Sequence, residues 1–238
     1  MIDAFGGCGG VGKAVLRLGF LARKYELLDG YDLTAPAVLR SIRQDILAGR
    51  VLALMLAPPC TSFSIAQARN GPIRSKEQPL GLPSLPPHRQ AKVDVGNRCM
   101  HATLQYCKWA MKRGVPWIIE HPQSSYMWRV PAVQSLLEHP KVHILKVDQC
   151  AFGSAWRKST YFACYNCQDL GRLDGKVCTG RRGICSFTSK HHQQLTGGGP
   201  GGRPWTSIAQ TYPLKLYRAL AYILTHHARA SLYDGKYG

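Results

Sequence analysis

The run Val51-Leu52-Ala53-Leu54-Met55-Leu56-Ala57, cut off by Pro58-Pro59 and followed by Cys60-Thr61-Ser62-Phe63-Ser64, decides the fold. A short, unbroken apolar run between turn formers is the pattern of a strand covered on both faces, as in a parallel sheet. Working back from it, residues 36–48 carry Val38, Leu39, Ile42, Ile46 and Leu47 at helical spacing, and Tyr25-Glu26-Leu27-Leu28 reads as a strand ending at Asp29. Before that, a stripe of Val15, Leu16, Leu18 and Leu21 predicts a helix over Lys13 to Arg23. It follows the glycine-dense turn 6–12 and a short strand over residues 2–5. The first 60 residues therefore read β-α-β-α-β, an α/β half-sheet with right-handed crossovers.

Working forward, residues 65–98 are rich in proline and carry Arg69, Arg74, Lys76, Arg89, Lys92 and Arg98 against Glu77 and Asp94. A segment that long without a clear period is expected to be a basic loop or lid. Helix returns at 97–113. A strand at 115–120, a helix at 131–139 and a strand at 142–147 follow. Residues 1–150 are thus expected to form one α/β domain, with a mainly parallel sheet and helices on both faces. Residues 151–205 form a small insert rich in cysteine and glycine, where eight basic residues face two acids. Residues 206–238 return to the domain through a helix that starts at Pro213, with Leu216, Leu220, Ile223 and Leu224 as its apolar stripe.

Composition narrows the function. The 238 residues hold 31 Lys+Arg against 13 Asp+Glu, a net charge of +18. An excess of this size, spread along the chain, favours an anionic partner, and nucleic acid comes first. No apolar run approaches the ~20 residues of a bilayer span, and the first residues lack a secretory pattern. Nine cysteines in a chain this large do not make a disulfide scaffold, so a reduced, intracellular protein (nuclear or cytoplasmic) is expected. A monomer is the expected state.

The chemistry-bearing residues fall at strand ends, where open α/β sheets bind ligands. The glycine turn offers backbone N–H groups at close range. Asp29, or Asp32 three residues on, can hold a ribose hydroxyl, although Asp32 in "DLTAP" also suits a turn cap. Cys60 stands on a stiff Pro-Pro bend, where a following helix would stabilise its thiolate; the competing reading is a cysteine packed as a small hydrophobe. Glu120 ends the fourth strand of this reading, and a carboxyl group shielded there has a raised pKa. Arg157 and Lys158 are carried toward the same rim after Val147.

In this order the residues resemble the cytosine-C5 DNA methyltransferases, from Asp3 to about Leu224. Asp3-Ala4-Phe5-Gly6-Gly7-Cys8-Gly9-Gly10 is similar to the family's S-adenosylmethionine motif, and Pro59-Cys60-Thr61-Ser62-Phe63-Ser64 to its Pro-Cys motif, the most specific match. Glu120-His121-Pro122 is similar to its Glu-Asn motif, with histidine in place of asparagine. Gln149 to Lys158 resembles its arginine motif, and "TSIAQTYPLKL" at 206–216 its returning segment. The family's closing Gly-Asn motif is not found.

The resemblance implies a Rossmann-like methyltransferase with Cys60, Glu120 and Arg157 catalytic. Phe5, Gly6, Gly7, Gly9, Asp29, Asp32 and Pro59 would hold S-adenosylmethionine. Double-stranded DNA with one base flipped out would be met by Ser64, Arg69, Arg74, Lys76, Lys158, Arg181 and Arg182. A catalytically silent relative that binds nucleic acid, or an RNA cytosine methyltransferase, are the alternatives. In the insert, Cys164-x2-Cys167 with later cysteines and histidines is zinc-like, and the expected structural set is Cys167, Cys178, Cys185 and His191 or His192.

Overall fold

The computed structural model describes residues 1–65 and 71–234, with side chains to residue 230. The strands are β1 (Ile2–Ala4), β2 (Arg23–Tyr25), β3 (Leu54–Leu56), β4 (Trp117–Pro122), β5 (Val142–Asp148) and β6 (Ser159–Tyr165). The helices are α1 (Gly10–Leu16), α2 (Pro36–Leu47), α3 (Pro87–Lys112), α4 (Pro131–Leu137), α5 (Trp205–Ile208), α6 (Leu214–Leu224) and α7 (His226–Asp234). The six strands form one sheet in the order β2-β1-β3-β4-β6-β5. The pairs β1–β2, β1–β3 and β3–β4 are parallel, while β6 runs antiparallel to both β4 and β5. The sheet is therefore mixed: three of its five pairs are parallel, and β6 alone runs against the other five strands.

The period of two along each strand builds two cores. Leu54, Leu56, Trp117, Ile119, Ala163 and Tyr165 point to one face, where Ile42 and Ile46 of α2, Met100 and Tyr106 of α3 and Val133 of α4 cover them. Met55, Ile118, Phe162 and Cys164 point to the other, under Val11 and Val15 of α1 and Leu216, Leu220 and Ile223 of α6. Each fully buried Leu, Ile or Val adds about 1.5–3 kcal/mol of transfer free energy. This double coverage explains why β3 reads as an unbroken apolar run.

Two segments depart from the sequence reading. The proline-rich loop ends at Pro87, where α3 begins ten residues before the expected start. Proline at the first helical position has its φ preset and needs no partner for an N–H, so the Pro86-Pro87 pair opens this helix. The insert also surrenders residues 159–165, which become β6, an inner strand of the sheet. All residues of β6 except Ser159 and Tyr161 are buried.

The chain runs from β1 to β2 on one side, then crosses to β3 on the other. Strand order reverses between β1 and β3, and the crevice beyond their carboxyl ends is the geometric place for a ligand. Among the described residues, no helix is long and apolar enough to cross a membrane.

Candidate active site

A cavity of about 400 Å³ opens at that crevice. Its floor comes from Asp3 and the turn Phe5-Gly6-Gly7-Cys8 after β1, its sides from Glu26 after β2 and from Pro58-Pro59-Cys60 after β3, and its back from Glu120 on β4. Lys158 and the segment Arg203 to Tyr217 close the outer wall.

The turn after β1 is shaped by contact rather than by glycine alone. Phe5 holds φ 57°, a left-handed value uncommon for a non-glycine residue. Asp3, 2% exposed, accepts the Gly12 N–H at 3.0 Å and so ties the start of α1 to β1. Burial pushes its carboxyl up to about 6, although the Gly12 bond works against that shift. Gly10 has no room for a side chain, because a Cβ there would lie 2.1 Å from the Tyr217 ring. Tyr217 also meets Cys8 Sγ through its hydroxyl at 3.0 Å and accepts from Tyr212 N–H at 3.1 Å. Helix α6 is thereby fastened onto the first turn of the chain.

The acid at the end of the second strand is Glu26, not Asp29. β2 stops at Tyr25, three residues earlier than expected, so Glu26 takes the strand-end position and lines the cavity. It accepts from Gly7 N–H at 2.8 Å and from Leu27 N–H at 3.0 Å. Asp29 is drawn away into a 2.8 Å ion pair with Lys24, and Asp32 caps Thr34 at 2.8 Å. Neither lines the cavity, and neither does Gly9, which caps α1; Phe5, Gly6, Gly7 and Pro59 do.

Cys60 lies at the head of a three-residue 3-10 turn, Thr61–Phe63, with Ser64 just beyond it. So short a turn supplies little dipole, and the thiol is not activated as the sequence suggests. Burial, then the nearby Glu120 carboxyl, push the Cys60 thiol up, while Lys158 pulls the other way. Glu120 is itself raised by burial, against the influence of Lys158 and the Tyr212 hydroxyl. One of its oxygens, Oε1, is buried without a hydrogen-bond partner. His121 beside it is fully buried between the edges of Phe63 and Trp128, at ring-centroid distances of 6.0 and 6.1 Å. Burial lowers its pKa to about 3, so the ring is neutral, with the Pro59 carbonyl facing it.

Arg74 does not reach outward to phosphates. It is 2% exposed, and its guanidinium donates to the Ser62, Pro79 and Val93 carbonyls, to Ser62 Oγ and to Asn97 Oδ1, all within 3.0 Å. It also stacks 3.8 Å over the Phe63 ring. Arg74 is a clamp that fixes the turn after Cys60 against α3. Burial lowers its pKa to about 10, so it stays charged. Lys76, Arg181 and Arg182 are exposed, and Arg69 lies outside the described residues.

Arg157 stays out of the cavity as well. Its Nε pairs with the fully buried Asp148 at 3.0 Å and its Nη2 donates to the Cys178 carbonyl at 2.6 Å. The neighbouring Lys158 lines the cavity instead, with Nζ donating to the Ala209 carbonyl at 3.1 Å. Sequence reading missed Glu26, Tyr212 and Arg203 on the wall; β2 ending at Tyr25 is the signal for the first.

The zinc-like set changes membership. Cys150, Cys178, Cys185 and His192 bring their ligand atoms within 4.8 Å of one another and could hold a metal ion. Cys167 lies elsewhere, under the sheet with its thiol against the Tyr165 carbonyl at 3.3 Å, and the exposed His191 is replaced by His192. Of the expected set, Cys178, Cys185 and the His192 alternative belong to the cluster, and Cys150 takes the place of Cys167. No family model matches the chain, and no curated protein matches it.

Proposed function

We propose that the chain is a cytosine-C5 DNA methyltransferase acting through a covalent Cys60 adduct. The observation that carries the reading is the shared cavity of Cys60 and Glu120 at a strand-order reversal, beside a glycine turn and an acid at the end of β2. The finer fold assignment, a Rossmann-like methyltransferase, belongs to the same proposal.

Cytosine C5 is unreactive inside a stacked duplex, so the base must leave the stack at a cost of a few kcal/mol. A protonated Glu120 donates its O–H to the ring nitrogen N3, a task suited to a carboxyl group whose pKa burial raises. Once Glu120 is neutral it no longer opposes the Cys60 thiolate, and the Lys158 ammonium favours it. Cys60 sulfur then adds to C6, and the electron pair released from the C5–C6 double bond makes C5 nucleophilic. After C5 is methylated, loss of its proton to water and departure of Cys60 restore the ring. S-adenosylmethionine, the donor this chemistry requires, supplies an electrophilic methyl group when bound. Glu26 fits its ribose hydroxyls and the 5–8 turn its close backbone approach. The charge of +18 supports a polyanionic substrate, with Lys76, Arg181, Arg182 and Arg203 as exposed phosphate-binding candidates.

A second reading, a catalytically silent module that binds nucleic acid, is favoured by the raised Cys60 thiol. Labelled S-adenosylmethionine and cytosine-containing DNA separate the two. Wild type should label the DNA, Cys60→Ala should not, and only wild type should be trapped on 5-fluorocytosine DNA. A folded wild type that melts higher with the donor yet labels nothing defeats the enzyme reading. Label that prefers RNA in competition defeats the choice of DNA.

A further inference from the structure

From Asp174 to Ile208 only two residues are buried, and both are cysteines. A segment of this length with Cys178 and Cys185 as its whole interior has no hydrophobic core of its own, and such segments need a staple. The cluster of Cys150, Cys178, Cys185 and His192 stands where that core would be. We propose that it binds one Zn²⁺ as a closed tetrahedral Cys3His site, and that this ion holds the insert to the sheet. The inference is independent of the activity proposed above.

Three separate pieces of chain deliver the ligands. Cys150 is on the turn Gln149–Phe152 that leaves β5. Cys185 and His192 stand on the two arms of a tight hairpin, closed by Cys185 N–H to the Lys190 carbonyl and His192 N–H to the Gly183 carbonyl, both 2.8 Å, with a bridge between Ile184 and His191. Cys178 is placed by the sheet: its N–H donates to Asp148 Oδ2 at 2.8 Å and its carbonyl accepts from Arg157. Its sulfur accepts from Ser186 N–H and Oγ at 3.4 and 3.5 Å, leaving it one face for an ion. His192 Nε2 lies 3.8 Å from that sulfur. With Zn–S bonds of ~2.3 Å, tetrahedral ligand atoms stand about 3.8 Å apart, so the 4.8 Å span needs only a small contraction. Thiolate and imidazole donors with no water position suit structural zinc over magnesium or calcium.

The site also gives Arg157 a task. Asp148 binds Arg157, Ser159 Oγ and the Cys178 N–H together, so the ion, the end of β5 and the start of β6 form one unit on either side of Lys158. An ion at Cys178 therefore steadies the segment that presents Lys158 to the cavity.

The test is metal content and ligand count on the whole chain. Protein made in zinc-containing medium should hold one zinc per chain, with X-ray absorption giving three sulfur neighbours and one nitrogen. Cobalt should replace it with the intense visible bands of a tetrahedral thiolate site. Cys185→Ser and His192→Ala should lose the ion, and Cys167→Ser should keep it. Wild type without zinc that also refuses added zinc or cobalt overturns the site, as does a four-sulfur shell or an ion kept by Cys185→Ser. Should the variants not fold, the wild-type spectrum alone decides.

Discussion

The sheet and the insert after β6 lie side by side yet are held by opposite means. The sheet buries Trp117, Ile118, Ile119, Phe162 and Leu54 to 1% exposure or less, with helices over both faces. From Asp174 to Ile208 the insert buries only two thiols in 35 residues and carries glycine turns and exposed cations. The contrast teaches that the cavity has one rigid wall and one conditional wall. Cys60 and Glu120 stand on the first. Arg203 and Gln210 stand where the insert returns to the sheet, on the second.

Chelation is the strongest way to break the comparison. Removing the proposed ion should raise the rate of tryptic cleavage at the exposed Arg181 and Arg182 by about tenfold or more, while the sheet keeps its cooperative unfolding transition. Equal cleavage with and without chelator would mean that the insert holds itself. Arg74 tests the rigid wall. Arg74→Ala strips donors from three carbonyls and from Ser62 Oγ and should cost on the order of 3–5 kcal/mol in denaturant unfolding. A loss below 1 kcal/mol would show that the turn after Cys60 does not depend on this clamp.

His121 sharpens the comparison through pH. Its pKa of about 3 in the fold lies below the 6.5 of a free imidazole. The unfolded chain therefore binds the extra proton first, and stability falls as pH drops from 6.5 toward 3, by up to ~1.4 kcal/mol per unit. His121→Asn should remove that slope from unfolding curves at pH 7 to 4. The smallest effect is expected at Glu120, whose raised pKa works in the opposite sense. Its stabilising contribution is complete below 4.5 and is lost as pH rises through the folded value. Glu120→Gln should melt higher than wild type near neutrality, with the gain vanishing toward pH 4.5.

What the sequence disclosed follows the same division. β3, α2 and the stripe of α6 could be read because burial imposes a period on neighbouring residues. Cys60 and Glu120 could be placed because the first follows such a strand closely and the second lies toward the carboxyl end of one. Arg74 could not, since a cation among prolines looks solvated until five acceptors from distant segments gather around it. Cys150 escaped because its partner Cys178 is brought to it by Asp148, a contact across the sheet edge that no local spacing encodes. β6 is obscured by lying next to the insert, and Glu26 is hidden because Leu27 and Leu28 extend the apolar run of β2 three residues past its end, onto Asp29.

The fastening of Tyr217 over Gly10 and Cys8 has a temporal meaning. A nascent polypeptide emerging from the ribosome has Cys60 and the glycine bend early, but the Tyr217 ring that packs over the bend is made long after both. Until then the crevice lacks this wall and stays open to water, so the cavity takes its final shape late, whatever the order in which the rest of the sheet assembles.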